Sequence, residues 1–375
     1  MDIAYNGKRV WYGYWLLSYS VYIIGSDYLL NMWLVQNMAN KLQIRDIAKL
    51  AGVSPITVSR YINKPERVSA KTQDKIAKVI EITGYIPNAL ARNFSSSRTN
   101  TIGVIIPSVS HHSYGTYLQG LVDIFEKHGY QLLICSSGYS ARSEEKLIET
   151  LIAQQAAAII LTGQQHTKRS RQMLHNFEIP VVETWEIDNT PIDLGVGFSN
   201  FRAARDATSL LIRRGYEHLS FISPSTKEND RITQRKKGFL DALGSAGLTI
   251  HDNWIIETPS SSHMISYRNG ANAIDQIICS QSLPQAVFIA SDILALGALS
   301  ECQRRGIRVP QDMALCGFDD HELSALQNPP LTTVNVPYYQ MGKQAAELVI
   351  SRLNGCDNES RIIDVGYNII PRQSI

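Results

Sequence analysis

The apolar positions of residues 44–63 follow the period of an α-helix, with one interruption. In the first half they recur at i, i+3, i+4 and i+7, namely at Ile44, Ile47, Ala48 and Ala51. This spacing places them on one helical face. Gly52 then permits a sharp turn because it lacks the Cβ that disfavours positive φ. Ser54 is a good N-cap, and Pro55 suits the first position of a second helix. The pattern predicts two short helices joined by a tight turn, the layout of a helix-turn-helix and also of an ordinary helical hairpin.

A third helix and a long alternating region follow. Ser69 is placed to cap the third helix and Gly84 to end it. From Thr101 onwards, apolar runs typical of buried strands alternate with amphipathic segments. The predicted strands are residues 101–109, 131–137, 157–163, 179–185, 194–199, 219–225, 254–259, 286–292 and 313–320. The predicted helices are residues 117–128, 143–154, 167–177, 201–214, 231–243, 267–279, 294–305 and 339–353. Strands separated by helices indicate βαβ units, and therefore an α/β region of parallel sheets.

The chain of 375 residues is too long for one typical domain, and its charge is unevenly distributed. Residues 41–98 hold 11 Lys and Arg against 4 Asp and Glu, whereas residues 99–375 hold 23 against 28. A compact basic unit on an acidic body is typical of a nucleic-acid reader attached to another domain. The five cysteines form no CxxC pair and no metal-ligand spacing, which indicates reduced thiols in a cytoplasmic protein.

Several stretches of the sequence carry a family resemblance. They are AGVSPITVSRYIN, VSAKT, GYIPNALAR and GFDDHE. In this order and spacing they resemble the lactose/galactose repressor family of transcriptional regulators, from about residue 42 to the C-terminus. The resemblance implies an N-terminal all-α helix-turn-helix headpiece at 41–86, and a hinge helix with a linker at 87–100. It also implies an α/β bilobed, periplasmic-binding-protein-like domain of two parallel sheets at 101–375, for effector binding and dimerisation.

The first forty residues do not fit this organisation. Residues 10–40 contain a single charged residue, Asp27, and are rich in Trp and Tyr. Residues 10–26 are uncharged but reach only the lower length limit of a membrane-spanning helix, and no clear signal-peptide cleavage site follows. The family begins its helix-turn-helix a few residues after its first methionine, where this chain has Met38. Residues 1–37 are therefore interpreted as a hydrophobic extension from a mis-called start, with a membrane tether as the alternative.

The resemblance also implies which residues meet DNA. The candidates on and beside the second helix are Ser54, Pro55, Ile56, Thr57, Ser59, Arg60, Asn63 and Lys64. The candidates in the hinge helix are Asn88, Ala91, Arg92 and Phe94. Hydroxyl and guanidinium groups bond base edges or phosphates, whereas Ile56 is suited to a thymine methyl group. In the hinge, the family inserts an apolar residue, usually leucine, into a minor-groove step, and here Phe94 occupies that position.

Effector candidates lie where the predicted strands end, because ligands of such α/β domains bind in the cleft at the carboxyl ends of the strands. They are Ser108, His111, Tyr114, His166, Glu183, Trp185, Asn200, Arg235, Asp292 and Asp319. Arg235, three residues before a Gly-Phe pair, and Asp319, in GFDD, match effector-binding positions of the family. Structural alternatives remain open. Arg235 lies in a charge run typical of a solvated helix face, Asp292 is placed to cap a helix, and a lone His166 is more often structural.

Four stretches are most similar to the gluconate and idonate repressor branch of the family. They are LTGQQHTKRS, IPVVETWEID, DLGVGFSNFRAA and ECQRRGIRVPQDMALCGF. A sugar acid needs a cation for its carboxylate, and Arg235, together with Lys168, supplies one. Two departures leave the effector open: an FSN segment ending at Asn200 replaces the family's FDN, and His111 stands where many members have Asn. The sequence predicts gluconate or a related aldonate, with a neutral sugar or a nucleobase as alternatives.

The sequence thus predicts a DNA-binding transcriptional regulator, expected to be a repressor, that responds to a small-molecule effector. Its expected partners are a pseudo-palindromic operator, the effector and a second copy of the chain in a homodimer. The alternative is a bilobed solute-binding protein, exported or tethered through residues 1–37, and the complete helix-turn-helix counts against it. An enzyme is not expected, because the sequence shows no nucleophile elbow, phosphate loop, metal cluster or cofactor motif.

Overall fold

The computed structural model describes residues 42–86, 99–249, 252–259, 265–280, 282–356 and 361–375. The chain divides into two compact units, whose described parts are residues 42–86 and the residues from 99 onwards. No helix within these described ranges is long and apolar enough to cross a lipid bilayer. The expectations for the N-terminal extension and for the hinge helix lie outside the described residues and stay predictions. The hinge candidates concerned are Asn88, Ala91, Arg92 and Phe94.

The first unit is a three-helix headpiece built around the predicted helix-turn-helix. Its helices are α1 (Ile44–Ala51), α2 (Pro55–Asn63) and α3 (Ala70–Thr83). Gly52 ends α1 at a φ of +65°. The Ser54 hydroxyl caps α2 by accepting a hydrogen bond from the N–H three residues ahead, at 3.2 Å. Ile47, Val58 and Ile76, one from each helix, are fully buried where the helices meet. The apolar residues that recur along this part of the sequence therefore form the faces on which the headpiece helices pack.

The second unit alternates strands and helices, as the sequence predicts. Its strands are β1 (Thr101–Ile106), β2 (Gln131–Ser136), β3 (Ala158–Thr162), β4 (Val181–Thr184), β5 (Leu194–Gly197), β6 (Leu219–Pro224), β7 (Ile255–Thr258), β8 (Ala286–Ile289), β9 (Ala314–Phe318), β10 (Thr332–Asn335), β11 (Ile362–Asp364) and β12 (Asn368–Ile370). Its helices are α4 (His112–Phe125), α5 (Ala141–Ala153), α6 (Lys168–Asn176), α7 (Asn200–Arg213), α8 (Asp230–Ser245), α9 (Tyr267–Ile278), α10 (Asp292–Arg305), α11 (Glu322–Ala325) and α12 (Tyr338–Leu353).

The strands form two six-stranded sheets, and we call each sheet with its covering helices a lobe. Lobe one has the strand order β11-β5-β4-β3-β1-β2, and lobe two has the order β12-β10-β9-β8-β6-β7. Neighbouring strands are parallel except β12, which runs antiparallel to β10. Strands β3, β4 and β6 are buried along their whole length, as is typical of strands inside a parallel sheet that is covered on both faces. The expected α/β bilobed fold is confirmed.

The chain passes between the lobes three times. After β5 it enters lobe two, where α7 packs on α8. After β10 it returns to lobe one, where α12 packs on α4 and β11 joins the sheet. It then crosses once more to place β12 in lobe two. Each lobe is therefore assembled from separate parts of the sequence.

Three helix pairs pack so closely that glycine is required at the contact. A Cβ added at Gly120 of α4 would lie 2.2 Å from the Tyr339 carbonyl oxygen of α12. In return, a Cβ at Gly342 would lie 2.1 Å from the Tyr117 carbonyl oxygen. The pair α9 and α10 is reciprocal in the same way, and Gly238 of α8 meets the backbone of α7. A close-packed interior leaves no room for an added methyl group at such points. These contacts fix α4 and α12 against each other. The first turns of both helices reach the cleft between the lobes, at the carboxyl ends of the strands.

Two regions differ from the sequence prediction. Helix α4 begins at His112 rather than at 117, because the buried Tyr114 already belongs to its first turn. His111, at its N-cap position, forms no side-chain capping bond, so the usual start signal is missing. The elements α11, β10, β11 and β12 were not predicted. Each is only three or four residues long, too short for a period to be recognised.

Candidate functional site

Helix α2 of the headpiece presents the residues expected to contact DNA. Exposed on or beside it are Ser54, Pro55, Ile56, Arg60, Asn63 and Lys64, and partly exposed are Thr57 and Ser59. Val58 lies on the opposite face and is fully buried in the core of the headpiece, which holds the helix in place. Ile56 is 65% exposed, which leaves an apolar side chain free for contact at the start of the helix. A helix held by its inner face and open on its outer face is suited to enter a DNA major groove.

In the second unit, side chains of both lobes converge on one cavity. Lobe one contributes His111, Tyr114, Tyr139 and Trp185. Lobe two contributes Asn229, Arg231, Ile232, Arg235, Ile265, Ala290, Ser291 and Asp319. These side chains come from loops that follow strands and from the first turns of α4 and α8, which is the expected position for a ligand in parallel α/β lobes. The cavity therefore brings together these predicted effector residues: His111, Tyr114, Trp185, Arg235 and Asp319.

Trp185 lies between aromatic rings at the cavity. Its ring centroid is 4.7 Å from that of Tyr114 and 4.7 Å from that of Tyr338, which begins α12. Its backbone adopts a φ of +76°, an uncommon conformation for a bulky residue. The indole Nε1 is buried and has no hydrogen-bond partner among the described residues. Because this atom can only donate, it is available to an acceptor on a ligand.

Arg235 is buried and held by several contacts. Its Nε donates to Asn200 Oδ1 at 2.8 Å, and its Nη1 donates to the Ala290 carbonyl oxygen at 2.8 Å. The guanidinium carbon lies 3.5 Å from the centroid of the Phe318 ring, and Nη1 is 3.9 Å from Asp319 Oδ1. Only 4% of the residue is exposed. Arg235 is therefore not part of a solvated helix face, the alternative that the sequence left open.

Asp319 faces the cavity from the end of β9. Its Oδ1 accepts a hydrogen bond from the Tyr338 hydroxyl at 2.6 Å, and its Oδ2 accepts one from Ser291 Oγ at 3.3 Å. The Nε2 atom of His111 lies 3.7 Å from Oδ2. Burial lowers the pKa of His111, with Asp319 opposing the shift, and its Nδ1 is buried with no partner in the described part of the chain. His111 and Trp185, which both line the cavity, thus each carry a buried ring nitrogen without a partner among the described residues.

The sequence analysis missed a second buried cation, Arg231. The residue is 6% exposed and lines the cavity with Arg235. Its Nη1 donates to Asp230 Oδ1 at 3.1 Å and to the Thr162 carbonyl oxygen at 3.3 Å. Lys168, which the sequence analysis offered as the second cation, is exposed and lies outside the cavity lining. The available signal was the spacing, because residues four apart share one helix face. Also missed in this region were Tyr139, Ser291 and Tyr338.

Asn200 and Ser108 are not among the residues that line the cavity. Asn200 is fully buried, and its Nδ2 donates to the Trp185 carbonyl oxygen at 2.7 Å while its Oδ1 accepts from Arg235. It therefore positions two cavity residues at once. Ser108 follows β1, and its Oγ accepts a hydrogen bond from the Ser110 N–H at 3.2 Å. This bond shapes the loop that carries His111.

His166 and Glu183 are bonded within lobe one and do not line this cavity. The His166 ring is fully buried, with Nδ1 2.6 Å from Glu144 Oε1 and Nε2 3.0 Å from Glu183 Oε1. The other Glu183 oxygen accepts a hydrogen bond from the Ile192 N–H. These contacts favour the structural role for His166 that the sequence left open. They hold the loop after β3 against α5 and β4.

The His166 cluster should make the stability of the protein depend on pH. Burial alone lowers the pKa of His166, but hydrogen bonds and charge from Glu144 and Glu183 raise it to about 9. A pKa raised in the folded state gives stability that is complete below about pH 6.5 and is lost as the pH rises through 9. We expect the free energy of unfolding to fall by up to about 3 kcal/mol over this window. Urea titrations at several pH values measure it.

The matched variant for this prediction is His166→Gln. It removes the titrating group, so the fall in stability between pH 6.5 and pH 9 should become smaller than in the unchanged chain. An equally steep fall in the variant would show that other groups cause it.

Asp292 is bonded inside lobe two. Its Oδ1 accepts from the Thr333 hydroxyl at 2.7 Å, and its Oδ2 accepts from the Ser324 hydroxyl at 2.6 Å and from the His321 N–H at 2.9 Å. Burial raises its pKa to about 7. Ser291, not Asp292, holds the N-cap position of α10. Asp292 therefore joins α10 to β10 and α11, a role that neither of the two sequence interpretations anticipated.

Metal-binding chemistry finds no support in the described ranges. They contain no group of three or more His, Cys, Asp or Glu side chains arranged to hold a metal ion. All five cysteines are free, and Cys302 and Cys316 are buried.

Comparisons with known proteins give a matching family for each of the two units. Residues 43–88 match the family described as bacterial regulatory proteins, lacI family, and residues 208–375 match the periplasmic binding protein-like domain. The HTH-type transcriptional regulator GntR of Escherichia coli strain K12 is 34% identical over 332 residues, which is 88% of this chain and 98% of that protein. The chain belongs to the LacI family.

Other LacI-family proteins give the same result. The HTH-type transcriptional regulator IdnR of E. coli strain K12 is 31% identical over 333 residues, 88% of this chain and 97% of that protein. Together, GntR and IdnR confirm the expected resemblance to the gluconate and idonate branch. Among solved structures, a LacI-family regulator from Silicibacter pomeroyi has a TM-score of 0.83 at 28% identity, covering 89% of this chain and 99% of that one. LacI-family proteins are DNA-binding transcriptional regulators that respond to small-molecule effectors.

Proposed function

We propose that this LacI-family protein is a cytoplasmic repressor whose operator affinity is modulated by gluconate or a related aldonate. The observation that carries the effector class is the convergence of Arg231 and Arg235 on one buried cavity. Asp319 is the only carboxylate in the described lining of that cavity. A buried guanidinium is costly unless an anion or several acceptors face it. Each arginine already has acceptors in the protein, and a small acid adds charge-assisted hydrogen bonds to them, whereas a neutral sugar adds only weaker ones.

The remaining polar groups suit the hydroxyl groups of an aldonate. A neutral His111 with its proton on Nε2, facing Asp319, leaves Nδ1 as an acceptor for a ligand hydroxyl. Trp185 Nε1 donates to a ligand oxygen, and Ser291 lies beside them. The ring of Tyr114 provides an apolar wall. The proposed effector site therefore consists of His111, Tyr114, Trp185, Arg231, Arg235, Ser291 and Asp319, with Asn200 as a positioning residue.

We propose the headpiece at 41–86 as the operator-reading domain, the segment 87–100 as hinge and linker, and 101–375 as the effector and dimerisation domain. The proposed DNA contacts are the exposed residues of α2 together with Asn88, Ala91, Arg92 and Phe94. A dimer reading a pseudo-palindromic operator fits the single recognition helix of each chain. The effector then acts by binding two conformations of the dimer with different affinity, not by blocking the DNA surface.

A gel shift on the DNA upstream of the gene and its neighbours tests the proposal. We expect the full chain to bind one such fragment specifically at fixed salt, because salt strongly affects affinity for DNA. Gluconate should change this binding, and glucitol, which has the same carbon chain without the carboxylate, should not. Specific binding without any response to gluconate or idonate would reject the aldonate effector. A response to a neutral sugar but not to an aldonate would show that the effector is a neutral sugar.

A further inference from the structure

The two lobes are joined beside the cavity by a short set of hydrogen bonds. The Gln164 N–H, in the loop after β3 of lobe one, donates to Asp230 Oδ2 of lobe two at 2.6 Å. Arg231 Nη1 donates back to the Thr162 carbonyl oxygen of lobe one at 3.3 Å. Asp230 Oδ1 also accepts from Arg231 Nη1 at 3.1 Å. Asp230 and Arg231 therefore act together at the first turn of α8, and both reach the same loop of the opposite lobe.

Gly163 provides the space in which this contact forms. A Cβ at this position would lie 2.5 Å from Arg231 Nη1 and 2.7 Å from both carboxylate oxygens of Asp230. The atoms that a methyl group would displace are the ends of two side chains, not backbone. An alanine here would therefore move the two side chains while the fold is retained. The glycine is required by the contact between the lobes and not only by its φ of +86°.

The guanidinium of Arg231 uses one of its three nitrogens in the contact between the lobes and does not use the other two there. Its Nη1 is used by Asp230 and Thr162. Its Nε and Nη2 have no hydrogen bond to the described residues, and the side chain lines the cavity that also contains Arg235. Because one anchor of the guanidinium belongs to lobe one, its present position depends on the two lobes being together. The same side chain thus belongs to the lobe contact and to the ligand cavity.

We propose that Asp230, Arg231 and Gly163 form a latch that presents Arg231 to the effector carboxylate only when the lobes are closed. The proposal rests on the proposed aldonate function and deepens it. A ligand shifts a conformational equilibrium only through its difference in affinity for the two states. An acid gains a charge-assisted bond to Arg231 only in the closed state, whereas a hydroxyl group of a neutral polyol gains a weaker one. The preference of the site for an acid over a polyol therefore depends on closure of the lobes. Asp230 and Gly163 are positioning residues, and Arg231 is the residue that touches the ligand.

The test compares Gly163→Ala with Gly215→Ala in the full chain. Gly215 has a similar φ of +92°, and nothing lies within 4 Å of an added Cβ, so this variant reproduces the backbone cost alone. The first readout is hydrogen exchange of the Gln164 amide without ligand. We expect exchange to be at least about tenfold faster in Gly163→Ala and unchanged in Gly215→Ala. Equal rates in the two variants would overturn the latch.

The second readout is calorimetric titration with gluconate and with glucitol. In Gly163→Ala the affinity for gluconate should fall by about tenfold or more, and the affinity for glucitol should fall by clearly less. Loss of affinity for both ligands to the same extent would reduce the glycine to a structural role and overturn the proposal. Asp230→Ala, which removes the acceptor of the Gln164 N–H, is the second variant. It leaves the glycine in place and should reproduce both results.

The outcome separates the latch from the proposed function. If the unchanged chain binds no aldonate, the proposed effector fails and the link to its carboxylate fails with it, whereas the exchange rate of the Gln164 amide still decides whether the lobe contact exists. If the unchanged chain binds gluconate and Gly163→Ala behaves as Gly215→Ala does in both readouts, the proposed function stands and the latch fails.

Discussion

Replacing Arg235 with methionine should lower the affinity for gluconate by about a hundredfold or more, and gluconate should no longer change operator binding. The guanidinium is buried and held by Asn200, the Ala290 carbonyl oxygen and the Phe318 ring. Arg231, the other cation of the cavity, is held separately by Asp230 and the Thr162 carbonyl oxygen and so does not replace it. Methionine has a similar stem but offers no donor to a carboxylate. Removing one partner of a buried, hydrogen-bonded charge pair typically costs about 2–5 kcal/mol. Calorimetry and the gel shift measure the two effects.

Lys237→Met is the matched control for this prediction. Lys237 lies two positions further along α8, carries the same charge and is exposed. Its replacement should leave both the affinity for gluconate and the response on DNA as they are. Thermal unfolding of both variants shows whether the fold is kept. If Arg235→Met retained the affinity for gluconate, the assignment of this arginine to the effector carboxylate would be wrong.

Replacing Gly120 with alanine should destabilise the second unit by about 2–4 kcal/mol. The added Cβ would lie 2.2 Å from the Tyr339 carbonyl oxygen and 2.9 Å from the Lys343 backbone nitrogen. Both are backbone atoms of α12, so the clash is relieved only if the two helices separate. Separation would also disturb the cavity, because α4 carries Tyr114 and α12 begins at Tyr338. Unfolding in urea measures the loss of stability.

Gly115→Ala, on the same helix, is the control. Nothing lies within 4 Å of a Cβ at this position, so alanine should be neutral or should stabilise the helix by about 0.5–1 kcal/mol. The difference between the variants isolates the contact with α12 from the helix propensity of alanine. Equal stability of the two would mean that α4 and α12 do not pack as closely as the structure shows.

The sequence predicted the local elements well because their signals are local. Gly52 and Ser54 fixed the turn and the start of α2 through their own backbone preferences. The apolar run of β3 indicated a strand buried on both faces. By contrast, β11 and β12 pair with strands that lie far away in the chain. Their own few residues contain no pattern that predicts them.

The lining of the cavity was predicted in part for a similar reason. The rule that ligands lie at the carboxyl ends of strands found His111, Trp185 and Asp319. The same rule also selected Glu183, because it cannot distinguish a side chain that faces the cavity from one that is bonded inside its lobe. Arg231 was missed although its spacing places it on the same helix face as Arg235, because the spacing alone does not show that this turn of α8 meets the other lobe. Side-chain direction and contacts between lobes are tertiary properties, which no local pattern encodes.

The repeated crossing of the chain between the lobes has a consequence for synthesis on the ribosome. β11 and β12 complete an edge of each sheet, and α12 covers α4 from a distant part of the sequence. Neither lobe is complete until these last segments have emerged. The headpiece, in contrast, is made of contiguous helices with local contacts, which fold early and rapidly. Each newly made chain therefore acquires its DNA-reading domain first and its ability to sense a ligand last.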